Sequence, residues 1–183
     1  MARTGGNAPA SEGIPAKHEA LALTGEDVVV LYRQMVLART LDERIWMLNR
    51  QGKVPIAASS QGHEGAELGS LLAADKDGDC FLFPYYRSLA LKVSAGPTPL
   101  QAMLSFMGKV GDPYSGGRQF PLQGADLPNR LIQLSNVVGA GLTQSVGYAL
   151  ACKMQGERTV VLSYFGDGAS SQGECHEAMN FAG

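Results

Sequence analysis

The chain is short of cysteine, has almost no surplus of charge of either sign, and carries no long apolar run. Its three cysteines, Cys80, Cys152 and Cys175, lie far apart and form no Cys-x-x-Cys pair. That spacing speaks against a disulfide framework and a zinc site, and for reduced thiols in a cytoplasmic protein. Fifteen basic residues face seventeen acidic ones, for a net charge of −2. Nothing in that balance calls for nucleic acid or an anionic membrane as a partner. No apolar stretch reaches the ~20 residues that a bilayer-spanning helix needs. The opening MARTGGNAPASEGIPAKHEA lacks the apolar segment of a secretory signal. No internal repeat is visible.

What is present suits one globular domain. Hydrophobic residues make up 45% of the 183 and charged residues 17%, and a chain of this size hides roughly two-thirds of its unfolded surface on folding. Residues 1–22, rich in Gly, Pro, Ala and Ser, are expected to be a flexible tail. Residues 23–183 are expected to form one folded unit. Thr24-Gly25-Glu26-Asp27 has the hydroxyl and acids of a helix start. Val28, Leu31, Tyr32, Met35, Val36, Ile45 and Leu48 then keep a rough helical period up to a stop at Gly52. An extended piece follows at 53–58, a helix over 63–74, and a turn at 77–79.

CFLF at 80–83 predicts a buried strand ended by Pro84, with a helix over 86–95. Thr98-Pro99 caps another helix that runs to Gly108. Residues 111–129 are rich in Gly and Pro without periodicity, and a structureless loop of that length is usually functional. Beyond it the pattern is strand (131–134), helix (about 139–155), strand (159–165) and helix (171 onward). This alternation belongs to a parallel sheet flanked by helices, an α/β fold.

The stretch VVLSYFGDGASSQGE, 160–174, carries the chemistry. In open parallel sheets ligands bind beyond the carboxyl ends of the strands, and there Asp167 stands between two glycines that permit close backbone approach. Ser171-x-x-Glu174 predicts a capping box for the next helix. A helix amino end attracts anions, and one carboxylate beside phosphate oxygens and water is a common way to hold Mg²⁺. The alternative for so short a motif is a solvated Asp-Gly turn.

Four motifs in order decide between these readings: FPYYR (83–87), GRQ (117–119), NVVGAG (136–141) and YFGDGASSQGECHEAMNF (164–181). Together they resemble the alpha subunit of the decarboxylating component of 2-oxoacid dehydrogenases, over about residues 24–183. The resemblance implies the thiamine diphosphate-binding fold, with thiamine diphosphate and Mg²⁺ as cofactors. It implies that Asp167 binds the metal and that Gly166, Gly168 and Ala169 line the diphosphate through their backbone. Tyr86 and Arg87 match the pair that reaches the phosphate and the substrate side. Asn136 and Val138 match positions whose backbone meets the aminopyrimidine ring, with Asn136 also toward substrate. The family's asparagine partner of this motif falls past Gly183, so the fold is expected to be incomplete at the carboxyl end.

No residue here qualifies as the cofactor's general base, and the resemblance implies that a glutamate of a beta subunit does that work. It likewise implies an assembly of two alpha and two beta chains and a lipoyl-bearing acyltransferase as acceptor. GRQFP at 117–121 is closer to branched-chain than to pyruvate members. His63 in QGHEG is a candidate acid or base, with packing as the alternative. Glu64 and Glu67 share a helix face and suit a solvated surface better than a metal pair. Cys175 and His176 are expected to pack inside a helix interface.

Overall fold

A computed structural model describes residues 17–75, 78–133 and 135–183. By its contacts the chain divides into two compact units, one ending at Arg33 and the other running from Gln34 to Gly183. In the first, a 3₁₀ turn spans Glu19–Leu21, inside the stretch expected to be a tail; residues 1–16 lie outside the described residues. Helix α1 (Gly25–Arg50) starts as its sequence predicts. The Asp27 amide donates to Thr24 Oγ1 at 3.1 Å, and the Thr24 amide donates back to the Asp27 carboxylate at 2.8 Å. This reciprocal pair satisfies two otherwise free amides. At the far end Gly52 takes φ +71°, and Lys53 N–H closes on the Leu48 carbonyl at 2.9 Å, a left-handed stop that glycine adopts without strain.

In the second unit the buried stripe of α1 is Ala38, Leu41, Ile45 and Leu48. Val36, expected on that stripe, is instead exposed. The stripe packs with Val54, with Leu89 of helix α3 (Leu89–Ala95), with Ala102 of helix α4 (Pro99–Phe106), and with Leu122. Thr98 and Gln101 cap α4 reciprocally.

The sheet has four strands in the order β2-β3-β1-β4. Strand β1 (Cys80–Phe83) is central, and runs parallel to both β3 (Leu131–Gln133) and β4 (Val160–Ser163). All four β1 residues are buried, as a strand covered on both faces requires. Cys80 and Leu82 face Leu71 and Ala74 of helix α2 (Glu64–Ala74) and Leu91 and Ala95 of α3. Phe81 and Phe83 meet Tyr148 of helix α5 (Ala140–Gln155) in tilted ring contacts, centroids 4.2 and 5.9 Å apart. Helix α6 (Gly173–Ala182) packs on α5 through Cys175, Ala178 and Leu142.

Several expectations are corrected. The sheet is mixed, because β2 (Gly124–Asp126) pairs antiparallel with β3. Residues 111–129 are therefore not one structureless loop. Asp112 accepts the amides of Tyr114, Ser115 and Gly117, and Leu122, 2% exposed, donates its amide to Ser105 Oγ at 2.9 Å. The segment 53–58 is bend and irregular backbone without strand pairing. Strand β4 is shorter than 159–165, and α3 begins at Leu89 rather than at Tyr86. Leu134, and Asp77 of the predicted turn, lie outside the described residues.

Glu64 and Glu67 do not face solvent. They are 4% and 3% exposed, and each carboxylate finds its partner on another element, Glu64 on Arg39 of α1 and Glu67 on the Leu91 amide of α3. Cys175 is buried as expected, but His176 is exposed, pointing away from the seam formed by Cys175 and Ala178.

Candidate functional site

Three parallel strands deliver their carboxyl ends to the same edge of the sheet, and each runs into a different loop. From β1 come Pro84 to Arg87, from β3 the segment 135–139, and from β4 Tyr164 to Ala169. These loops enclose a cleft of about 170 Å³. The eight residues carried by the motifs all line it: Tyr86, Arg87, Asn136, Val138, Gly166, Asp167, Gly168 and Ala169. GRQ does not; its backbone is exposed and folded onto Asp112 and Ser115.

The β1 loop explains why the helix starts late. Ser88, fully buried, accepts the Tyr85 amide on its hydroxyl at 3.3 Å and returns its own amide to the Tyr85 carbonyl at 3.1 Å. The resulting tight turn holds Tyr86 and Arg87 at the cleft instead of in the first turn of α3. The Arg87 guanidinium donates to Tyr86 Oη at 2.9 Å and more weakly to Tyr85 Oη at 3.4 Å. It stands 5.2 and 5.0 Å from the two ring centroids, a cation–π arrangement that fixes the charge without neutralising it. A side chain at Gly166 would come within 3.4 Å of Arg87 Nη2 and 3.9 Å of Tyr85, so the glycine leaves room for this group.

The β4 loop folds directly into a 3₁₀ turn, Asp167–Ser171. Ser170 Oγ donates to the Asp167 carbonyl at 2.6 Å, and Ala169 N–H donates to Gly166 at 3.0 Å. That turn absorbs Ser171, so the predicted Ser171–Glu174 capping box does not form. Helix α6 is capped at Gln172 without a side-chain bond. Gln172 and Glu174 instead lean over Gly139, the residue preceding α5. A Cβ there would meet Gln172 Oε1 at 2.7 Å and Glu174 Oε2 at 3.4 Å, and Gly139 also has φ +88°. The close approach and the left-handed backbone both require glycine.

The Asp167 carboxylate is exposed and accepts no hydrogen bond from a described residue. Its charge favours the cationic Arg87. The amino end of α5 faces the same cleft through Gly139, Gly141 and Leu142. One free carboxylate, one guanidinium and a helix amino end favour an anion together with a hard cation. Among the described residues no cluster of three or more His, Cys, Asp or Glu could hold a metal unaided. This donor set fits a magnesium ion that keeps waters and shares phosphate oxygens, which is how that ion is commonly bound.

Residues that the sequence reading missed also line the cleft. Tyr85 lay in the quoted FPYYR and could have been drawn from it. Gln133 donates to Asn136 Oδ1 at 3.2 Å, and Tyr164 is held by Ser70 at 2.8 Å. Tyr164 opens the YFGDGA motif and could have been drawn from it, whereas nothing in the local sequence marks Gln133.

Comparison with known proteins agrees with the motifs. Residues 32–183 match the family model described as dehydrogenase E1 component. The chain is 42% identical over 166 residues to the 2-oxoisovalerate dehydrogenase subunit alpha of Bacillus subtilis (strain 168), covering 91% of this chain and 50% of that protein. It is 35% identical over 161 residues to the pyruvate dehydrogenase E1 component subunit alpha of Bacillus cereus, covering 88% of this chain and 40% of the other. The Staphylococcus aureus (strain Mu50 / ATCC 700699) protein of the same name is 36% identical over 160 residues, covering 87% and 40%. The chain thus spans half the length or less of these relatives.

Proposed function

Because the chain belongs to the dehydrogenase E1 component family, we propose that it provides alpha-subunit sequence of a thiamine diphosphate-dependent 2-oxoacid dehydrogenase acting on a branched-chain 2-oxoacid. The observation that carries this reading is the meeting of Asp167, Arg87 and the α5 amino end on one cleft, at the carboxyl edge of the parallel strands. On this reading Asp167 is a ligand of Mg²⁺, and Gly166, Gly168 and Ala169 admit the diphosphate close to the backbone. Arg87 faces phosphate or the substrate carboxylate, with Tyr86 at its side. Asn136 and Val138 form the wall toward the aminopyrimidine, with Asn136 steadied by Gln133.

When bound, the cofactor supplies the electron sink that decarboxylation of a 2-oxoacid needs. The residues described here orient that group and hold charge beside it. None is placed to move its protons, so a beta subunit is proposed to supply the base and to form an assembly of two alpha and two beta chains. A lipoyl-bearing acyltransferase is the proposed acceptor. The branched-chain substrate is supported by the 42% identity to the 2-oxoisovalerate enzyme. Pyruvate is the second reading, supported by the 35% relative.

The test is the full-length protein assembled with its beta chain, titrated with thiamine diphosphate and Mg²⁺ and assayed with 3-methyl-2-oxobutanoate and pyruvate. Cofactor-dependent turnover with the branched substrate preferred is expected. Preference for pyruvate selects the second reading, and absence of cofactor binding overturns both.

A further inference from the structure

The mechanism above leaves His63 without a role, yet the structure ties it to the cleft by one intermediary. His63 Nδ1 lies 2.9 Å from Tyr85 Oη, and the two rings stack with centroids 6.1 Å apart and planes 29° from parallel. The same Tyr85 oxygen accepts from Arg87 Nε, and the Tyr85 ring lies under the guanidinium. His63 does not itself line the cleft. We propose that His63 is a positioning residue that, through Tyr85, sets the Arg87 guanidinium for an anionic diphosphate ligand. The proposal rests on the cofactor reading given above.

The hydrogen-bond inventory gives the chain a direction. A phenol has one O–H to donate and lone pairs to accept with. Arg87 can only donate, so Tyr85 Oη receives from Arg87; on the proposed reading its own proton goes to His63 Nδ1, 2.9 Å away. That requires an imidazole with Nδ1 bare and the proton on Nε2. His63 then accepts, Tyr85 relays, and Arg87 is held at Nε by Tyr85 and at Nη1 by Tyr86 on the cleft wall.

The anchor is rigid. His63 precedes the first turn of α2 and is fixed on both sides: its amide donates to the Ser60 carbonyl at 3.1 Å, and its carbonyl accepts from Glu67 N–H at 3.0 Å. Buried Asp42 holds Ser59 and Ser60 at 2.9 Å each. Buried Glu64 bridges Arg39 and the Gly62 amide at 2.8 Å each. The backbone that carries His63 is thus fixed at Ser59 and Ser60 by Asp42 and at Gly62 by Glu64, so its ring is presented to Tyr85 from a held segment.

The test measures ligand affinity, so it does not depend on turnover. Calorimetry on the full-length protein with Mg²⁺ compares inorganic pyrophosphate and thiamine diphosphate across wild type, H63A, H63N, Y85F and H63A/Y85F. His63→Ala is expected to weaken both ligands by about three- to tenfold, the worth of one hydrogen bond that aligns a charge. Tyr85→Phe should weaken them comparably, and the double variant no further, since both remove one link of one chain. His63→Asn, whose amide oxygen can stand where Nδ1 stood, should restore affinity to within about twofold.

Unchanged affinity in H63A, or losses that add in the double variant, overturn the role of His63 and leave the cofactor reading standing. If H63A fails to fold, Y85F and H63N carry the same decision: undiminished binding in Y85F, or no binding in folded H63N, rejects the proposal. Wild-type protein that binds neither ligand overturns the cofactor reading and the proposal with it.

Discussion

Glu67 and Lys92 are buried ionisable groups that feel each other's charge, and their titration should leave a mark on stability. Glu67 is 3% exposed and Lys92 2% exposed. Burial raises the Glu67 carboxyl from 4.5 to about 7, against the Leu91 amide that donates to it at 3.0 Å and the charge of Lys92. Burial likewise lowers the Lys92 amine from 10.5 to about 7, opposed by Glu67. The two directions act in opposite pH windows. Between 4.5 and about 7 the folded chain keeps a proton on Glu67 that the unfolded chain has released, so stability falls as pH rises. Between about 7 and 10.5 the unfolded chain keeps a proton on Lys92 that the folded chain has released, so stability rises again. Each proton is worth ~1.4 kcal/mol per pH unit. Stability at about pH 7 should thus lie ~2 kcal/mol below that at about pH 5.5 or 8.5 from this pair alone.

The perturbation that isolates the pair is Glu67→Gln with Lys92→Met, compared with each single change. Glu67→Gln alone should remove the fall in stability below about pH 7, Lys92→Met alone the rise above it, and the double change both. Urea unfolding followed by circular dichroism at the three pH values gives the difference between wild type and double variant. A trough at neutrality is expected. A difference that stays flat within about 0.5 kcal/mol across the three would refute the assignment.

Other outcomes follow from single features. Asp167→Asn should abolish magnesium-dependent binding of thiamine diphosphate with the far-ultraviolet spectrum unchanged; retained Mg²⁺ dependence counts against the metal role. Gly139→Ala should cost at least about 1–2 kcal/mol in a thermal melt, from a left-handed backbone and the crowding of Gln172. Hydrogen exchange should separate residues 111–129 into two classes, with the buried Leu122 amide, held by Ser105, exchanging much more slowly than the exposed Gly117 and Gln119 amides held by Asp112 and Ser115. Uniform exchange would remove the anchor assigned to Leu122. Cys80, whose thiol is pushed up to about 11 by burial and by Asp75, should resist a thiol reagent until the protein unfolds; rapid labelling in native buffer would contradict its burial.

Which parts of the fold were legible follows from where their causes lie. Strands β1 and β4 announce themselves by apolar composition, CFLF in a strand buried throughout and VVLS in one that is half-buried with Val160 exposed. Gly124-Ala125-Asp126 carries no such signal, and becomes a strand only because it finds the free edge of β3. The burial of Glu64 and Glu67 was illegible for a similar reason. A three-residue spacing on a helix is the same whether the face meets water or a partner, and the partners here, Arg39 and the Leu91 amide, stand 25 and 24 residues away. The start of α3 failed differently: the helical period of 86–95 is real, but the Tyr85–Ser88 turn takes its first residues for the cleft.

The candidate site was more legible than the core around it, and the topology says why. Parallel strands in one sheet place their following loops at one edge, so motifs separated by some eighty residues in the chain, such as FPYYR and YFGDGA, need only each follow a parallel strand to meet. The eight residues that the family resemblance named all sit on such loops, so strand direction alone brings them to one cleft. What this logic does not reach is the support beneath the loops. Tyr85 and His63 act through a hydrogen bond between two elements, and Gln133 through one onto Asn136; no periodicity or motif encodes such a bond. Residues whose side chains face a ligand are read from loops, and residues that hold those side chains still are read only once the helices have packed.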